Sequence, residues 1–418
     1  MARTLKHGNT LVKNIVWQYG LQILKYLFPL ILVPYLTRVL GTGGYAVYAY
    51  TLSFMGIVQT FADFGFMLSG TKRVVELRDD RERLSRLLGA ITLARLILAL
   101  VLCACVAVVV QFIPLLRDNM AYVMIAYVST VLKALLPDFM FQGFEDMEPL
   151  TTRFFAAKVA TVGLTVLLVR GPQDLVLVAI ADAFGGLVAF SWSLVTVWVR
   201  YGVTVVFGGV KDALSELKRS AVYCVSNIGT TLNSGFTTFI VGIVLTDPTD
   251  VAYWSLALTT VSAVQALYSP ISSSLYPHVM AHLDLTPVKR MAFMAAPVLL
   301  LGTAAYCLLS SQVFLLLGGP EYVDGSWVMD ALSPVLPVSF YSILVGWPVL
   351  GALGKVNELT ASTVASGVVN AVLLLSMALL GLSSLLAICV IRCIAEVVLL
   401  GARGLALIVC LKKREVRL

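Results

Sequence analysis

Hydrophobic residues in this chain come in long, nearly unbroken runs. They cover residues 11–36, 44–68, 87–113, 121–143, 154–169 and 175–199, and then 221–245, 251–277, 291–317, 327–353, 359–380 and 384–411. A helix needs about 20 apolar residues to cross the hydrocarbon of a bilayer. Each run therefore predicts one crossing, and the fold class expected is an all-α polytopic membrane protein with about 12 transmembrane helices. The turns between runs are short, for example 170–174 and 246–250. No external segment is long enough to fold as a catalytic domain.

Composition agrees with the pattern. Of 418 residues, 59% are hydrophobic and 13% charged, and the mean hydropathy is +0.92. A soluble domain carries about 25% charged residues. A soluble enzyme, a disordered chain and a secreted disulfide scaffold are all excluded. The first run follows a basic head with Arg3, Lys6 and Lys13. It is too long for a signal-peptide core and no small-residue cleavage site follows, so it is expected to stay as an uncleaved first span.

Charge sets the orientation. With the N-terminus inside, most of the 30 Lys and Arg fall on the cytoplasmic side, Arg153 and Lys158 counted among them. The opposite side holds only Arg38, Arg117 and Arg170. Cytoplasmic loops of membrane proteins are enriched in Lys and Arg, so both termini are expected in the cytoplasm. The net charge of +7 is explained by basic loops facing anionic headgroups, without any need for nucleic acid.

The runs divide evenly around residues 200–220. In that stretch Val210, Ala213, Leu214 and Leu217 share one helical face while Lys211, Asp212, Glu216, Lys218 and Arg219 lie mostly elsewhere. It reads as an amphipathic helix on the inner membrane surface. The expected organisation is an N-terminal lobe (1–199), this cytoplasmic linker (200–220) and a C-terminal lobe (221–418). Equal halves that start in the same direction suggest two parallel repeats. The first span of each half carries a polar stripe: Asn14, Gln18, Gln22 and Lys25 in one, Ser226, Thr230, Asn233 and Thr237 in the other. Such stripes line helix contacts or a water-filled cavity, and their recurrence favours a cavity.

Ionisable side chains within the runs are costly there and mark candidate sites. Lys25 and Lys133 lie near the middle of spans one and four, with no carboxylate one turn away in sequence. Arg95 lies in the third span, Asp182 in the sixth and Asp63 in the second. Arg392 and Glu396, one turn apart in the last span, can neutralise each other. Arg403 lies near enough to the inner interface to snorkel. A cavity with surplus Lys and Arg attracts an anion, and phosphate is the natural one. Prolines recur within the spans, among them Pro29, Pro34, Pro137 and Pro348, and permit kinks.

Other chemistry is sparse. The seven cysteines lie in apolar runs without a CxxC pair and read as small hydrophobes. His278 and His282 are four residues apart but lack the Glu of a zinc helix. No nucleotide, hydrolase or calcium motif occurs. Neither a cofactor nor a metal is expected, and any driving force is an ion gradient or the membrane potential.

Several segments together resemble one family. They are LILVPYLTRVLGTGGYAVYAY (30–50), ADFGFMLSGTKRVVELRDDRERLSRLLG (62–89), Pro137 with FQGFEDM (141–147), VAYWSLA (251–257), SLYP (274–277), LGGPEYVDGS (317–326) and GALGK (351–355). Their order across nearly the whole chain resembles that of the bacterial polysaccharide or O-antigen flippases of the multidrug/oligosaccharidyl-lipid/polysaccharide (MOP) exporter superfamily. Two departures are Asp138, where an aromatic residue is common, and Gly70, where Ala is more usual. The resemblance implies two six-helix lobes in a V around a central cavity. It also implies a flippase that moves an undecaprenyl-diphosphate-linked oligosaccharide from the inner to the outer leaflet of the cytoplasmic membrane. On that view Lys25, Lys133, Arg95 and Arg392 would bind the headgroup. Asp63, Asp182 or Glu396 would couple H+ or Na+, and the glycan polymerase and chain-length machinery would be further partners. A cation antiporter of the same superfamily would need an acidic cavity. A lipid II flippase usually has two more spans, and a membrane-embedded polymerase or ligase carries a large external loop.

Overall fold

The computed structural model describes residues 2–412 apart from 246, 283 and 382–383. Among the described residues every regular element is helical. The order is α1 (Ala2–Asp63), α2 (Phe66–Glu76), α3 (Arg81–Gln111), α4 (Pro114–Arg117), α5 (Met120–Ala134), α6 (Asp138–Gly143), α7 (Glu148–Leu168), α8 (Leu175–Tyr201) and α9 (Val210–Val244). There follow α10 (Pro248–Ala266), α11 (Ser269–His282), α12 (Thr286–Leu308), α13 (Ser310–Leu317), α14 (Ser326–Leu332), α15 (Val335–Val345), a π-helical segment (Gly346–Gly351), α16 (Val356–Leu379) and α17 (Leu385–Lys412).

Eight helical segments among the described residues are long and apolar enough to cross a membrane, and a ninth is made by a pair bent by 43°, Pro320–Leu332 and Val335–Gly351. The first segment, Val16–Glu76, is 61 residues long. At 1.5 Å per residue that is roughly three times the hydrocarbon thickness. Gly41 breaks it with φ 66° and ψ −175°, a left-handed angle that glycine adopts without a Cβ clash. The residues on either side correspond to the first two predicted spans. Large apolar side chains such as Leu100, Phe293 and Leu379 face outward, and only 6% of the most apolar window of α12 is buried. Water would not tolerate such a surface, whereas lipid does. The chain is a multi-pass membrane protein.

Contacts divide the chain into two compact units, Met1–Ile228 and Gly229–Leu418. In the first, a core of Phe66, Leu84, Leu88, Ile91, Phe139 and Phe141 joins α2, α3 and α6. In the second, Tyr268, Val279, Val288, Phe340 and Leu344 join α11, α12 and α15.

The stretch 200–220 differs from the surface helix expected. Residues 202–209 are extended, and α9 runs without interruption from Val210 into the seventh predicted span. The expected apolar face splits. Ala213 and Leu217 pack into the first unit's core, while Val210 and Leu214 remain exposed. The cause is a contact distant in sequence: Thr204 N–H donates to Ser85 Oγ at 3.2 Å and Val206 N–H to the Ser85 carbonyl at 3.3 Å. These bonds strap the segment across the start of α3. Gly89 lies so close beneath Val206 that a Cβ would have no room.

Candidate functional site: intramembrane charges

Among the described residues, the ionisable side chains singled out within the spans are gathered into ion pairs, except Lys25 and Arg403. Lys133 on α5 donates to Asp182 on α8 at 2.5 Å. Ser129 Oγ donates to the same carboxylate oxygen at 2.6 Å. Lys158 on α7 stands 3.9 Å from the other oxygen, with its ammonium 6.0 Å from the Phe154 ring centroid. Sequence spacing showed no carboxylate within one turn of Lys133; the partner comes from another helix. Lys158, counted with the cytoplasmic charges, instead lies within the helix α7 and completes this cluster. One carboxylate between two ammoniums leaves the group with a surplus positive charge.

Arg95 on α3 is buried. It donates to Asp63 Oδ1 at 2.6 Å and to the Leu136 carbonyl at 2.9 Å. Its guanidinium lies between the rings of Phe66 and Phe139, 5.5 and 5.6 Å from their centroids, a placement that favours a cation. Beyond Pro137, Asp138 forms a two-pronged pair with Arg153, which also donates to Ser193 Oγ at 3.0 Å. Arg153 had been counted in the inner loop; it is buried against α8, because Asp138 supplies the charge that lets it be. Asp138 and Arg153 were missed as a pair, since only the fold brings 138 and 153 together.

In the second unit Arg392 donates to Glu396 at 2.7 Å across one helical turn, as their spacing allowed. Arg403, expected to snorkel, is engaged by neighbouring groups. It stays within the unit, donating to the Ser342 carbonyl at 2.7 Å, to Ser342 Oγ at 3.0 Å and to Thr363 Oγ1 at 3.2 Å. The π-helical segment begins four residues after Ser342. The Ser342 carbonyl also accepts from Gly346 N–H, so Arg403 adds a second donor at the end of α15.

The polar stripe of α1 divides. Asn14 is helix glue: it donates to the Glu145 carbonyl and accepts from Met147 N–H at 3.4 Å. Gln18, Gln22 and Lys25 are exposed. Lys25 has no ion pair among the described residues. In the other stripe Thr237 is buried and accepts from Asn370 Nδ2 at 2.6 Å. The side chains of Ser226, Thr230 and Asn233 lie outside the described residues, as do those of His278 and His282. Among the described residues no cluster of His, Cys, Asp and Glu could hold a metal. The cysteines are free; Cys224, Cys389 and Cys410 are buried and Cys105 is exposed.

The motif segments have structural reasons. Phe64 (φ 47°) and Gly65 (φ 76°) break the helix between α1 and α2. Gly70 fits against Phe139, and Gly143 against Val74, without room for a Cβ. Arg78 donates to the Gly143 carbonyl at 2.8 Å and pairs with Glu145 at 2.9 Å. Of the two departures from the family pattern, Gly70 thus serves packing of α2 on α6, and Asp138 serves the ion pair with Arg153.

The chain was compared with known proteins. The family model described as "Polysaccharide biosynthesis protein" matches residues 11–282. Two relatives named "Putative O-antigen transporter" are 23% identical over 386 residues (Escherichia coli strain K12; 87% of this chain, 89% of that one) and 24% identical over 266 residues (Shigella dysenteriae; 63% and 66%). Among solved structures, an inward-facing multidrug resistance MATE family transporter of the MOP superfamily superposes with a TM-score of 0.68. It is 15% identical, over 95% of this chain and 99% of that one. The lipid II flippase MurJ, inward closed, gives a TM-score of 0.74 at 12% identity, over 95% and 87%. The family match spans more than half of the chain, and the folds agree over nearly all of it: this chain belongs to the polysaccharide biosynthesis protein family and has the MOP superfamily fold.

Proposed function

We propose that this protein is a flippase that carries an undecaprenyl-diphosphate-linked oligosaccharide, a repeat unit of O-antigen or a related glycan, from the inner to the outer leaflet by alternating access. The observation that carries the proposal is the exposed face of α1, where Gln18, Gln22 and Lys25 interrupt an apolar span in a member of this family. Polar side chains at membrane depth are retained where they face water or substrate. The names of the two relatives support a glycan cargo.

On this reading Lys25 binds the diphosphate, with the surplus positive charge at Lys133, Asp182 and Lys158 as a second attraction. The donors of Arg95 and Arg392 are engaged by carboxylates, so these two residues serve less as headgroup ligands than as parts of the scaffold. The lipid tail stays in the bilayer. The inside-negative potential drives the anionic headgroup outward by about 2.3 kcal/mol per charge per 100 mV; coupling of H+ or Na+ through Asp182 or Glu396 would require one of their ion pairs to open. The cytoplasmic membrane, with both termini inside, is the expected location. Asp63, Asp182 and Glu396 are each paired with a cationic side chain. That leaves no free cation site among them and disfavours a cation antiporter.

The test is translocation of a labelled undecaprenyl-diphosphate oligosaccharide in proteoliposomes under an inside-negative potential. The parent chain should move the headgroup outward, and Lys25→Ala should lose most of that activity at an unchanged membrane level. Flux of a soluble cation without lipid movement would overturn the proposal.

A further inference from the structure

The strap at 202–209 and two helices of the first unit enclose an apolar cleft. Bonds to Ser85 and the close fit on Gly89 hold the strap across the start of α3. Beside them lies a cleft of about 190 Å³, lined by Leu88 of α3, by Leu194, Val197 and Trp198 of α8, and by residues 203–205 of the strap. An apolar cavity of about 150 Å³ stays dry and accepts a hydrocarbon guest. Trp198 lines the cleft and is itself exposed, so the cleft opens on the lipid-facing side of α8.

The apolar surface continues along α8. Leu187, Ser191, Val195 and Trp198 follow at intervals of 4, 4 and 3 residues, and so share one helical face. A shallower groove of about 500 Å³ runs along the first three. The 11 residues from Leu187 to Trp198 span about 16 Å at 1.5 Å per residue. That is close to half of the roughly 30 Å hydrocarbon core, the depth that a lipid chain takes in one leaflet.

A cation stands at the strap end. Gly202 ends α8 with φ 66°, and the Arg81 guanidinium lies over it, 3.0 Å from where a Cβ would stand. Asp80 and Glu82, the carboxylates next to Arg81 in sequence, are taken by Arg83 and Arg86. Arg81 itself is exposed and has no ion pair among the described residues. A guanidinium matches the geometry of a phosphate.

We propose that this cleft binds one anionic phospholipid of the cytoplasmic leaflet, with its phosphate on Arg81 and one acyl chain along α8 beneath the strap. The groove runs for the depth of one leaflet, which an undecaprenyl chain far exceeds, so the occupant is a phospholipid and not the transported lipid. The bound lipid braces the strap and, through it, the join between α8 and α9. The site goes beyond the transport reading and does not need it; only its leaflet follows from the orientation given by the charge asymmetry.

Trp198 reports the site. The full chain is placed in phosphatidylcholine vesicles, and phosphatidylglycerol with brominated chains is titrated in. The quenching that disappears in Trp198→Phe is the share of Trp198. Phosphatidylglycerol should be preferred there by about fivefold, equivalent to about 1 kcal/mol for one cation facing an anionic lipid. Arg81→Gln should abolish the preference, and Arg81→Lys should keep most of it. Arg83→Gln removes the same charge from a guanidinium already paired with Asp80, and should leave the preference intact. No preference in the parent chain would overturn the site. Equal loss in the Arg81 and Arg83 variants would also overturn it, since that is diffuse attraction to a basic surface.

Two further readings test the occupant and its effect. Undecaprenyl phosphate that displaces phosphatidylglycerol from Trp198 more tightly than phosphatidylglycerol binds would overturn the phospholipid as occupant. Hydrogen exchange at residues 203–207 should be slower in phosphatidylglycerol than in phosphatidylcholine vesicles, and Arg81→Gln should remove the difference. Equal exchange in both lipids would overturn the bracing of the strap.

Discussion

Lys133 and Asp182 lie 49 residues apart in sequence and form an ion pair within the membrane. Neither has a partner of opposite charge on its own helix turn. Lys158, from a third helix, shares the same carboxylate, so the three residues are unequal. Removing Asp182 leaves two ammoniums facing each other, removing Lys133 leaves one pair at longer range, and removing Lys158 leaves a balanced pair.

The first prediction follows from that inequality. Asp182→Asn should destabilise most, by about 3 kcal/mol, the low end of the cost of breaking a buried pair on one side. Lys133→Met should cost less, and Lys158→Met least. Thermal unfolding in detergent measures the order. A Lys158→Met variant less stable than Asp182→Asn would contradict the geometry.

Arg392 and Glu396 satisfy each other across one turn, so the pair should tolerate reversal better than loss. Glu396→Gln strands a largely buried guanidinium and should lower stability by about 3 kcal/mol. Arg392→Glu/Glu396→Arg should recover at least half of that. If Glu396 also couples an ion, the reversed variant should fold yet lose the dependence of transport on that ion, read in vesicles with and without the gradient.

Gly89 and Gly163 are both helical glycines, with different surroundings. A Cβ at 89 would strike the backbone of Val206, whereas one at 163 meets nothing within 4 Å. Gly89→Ala should displace the strap over residues 203–207, and hydrogen exchange there should quicken. Gly163→Ala should leave exchange unchanged and be neutral or slightly stabilising, since Ala is the better helix former by up to about 1 kcal/mol.

Arg403→Met would remove one of two donors from the Ser342 carbonyl, which Gly346 N–H also reaches, and the guanidinium partner of Thr363 Oγ1. Losing hydrogen bonds from a charged donor costs about 1.5–3 kcal/mol, so the unfolding temperature should fall. Arg403→Lys should recover only part of the loss, because one ammonium cannot take the place of a guanidinium that reaches Ser342 and Thr363 together. Equal stability of Met and parent at 403 would contradict this role.

Much of the architecture was legible because the constraint that shapes it is local. An apolar run of sufficient length has to be a helix in lipid, whatever it packs against. The broken spans were visible in part: Pro137 permitted the break between α5 and α6, whereas the break at Phe64–Gly65 falls inside a run read as one span, 44–68. The Arg392–Glu396 pair was readable from its one-turn spacing. The strap at 202–209 was not, since its anchor, Ser85, is 119 residues away from Thr204.

The sequence by itself determined that this protein is a helical membrane protein with a family pattern along its length, and which residues are chemically out of place in lipid. Run length, charge asymmetry and isolated ionisable residues are properties of single segments, so one chain of letters carries them. Only the tertiary structure decided which of those residues are spent on each other. Asp63 with Arg95, Asp138 with Arg153 and Asp182 with both lysines are settled by helix neighbours, at separations of 32, 15, 49 and 24 residues. Lys25 stays exposed on α1 with no ion pair among the described residues. The Coulomb energy that pairs such groups in a low dielectric depends on distance in space, and helix order along the chain does not give that distance.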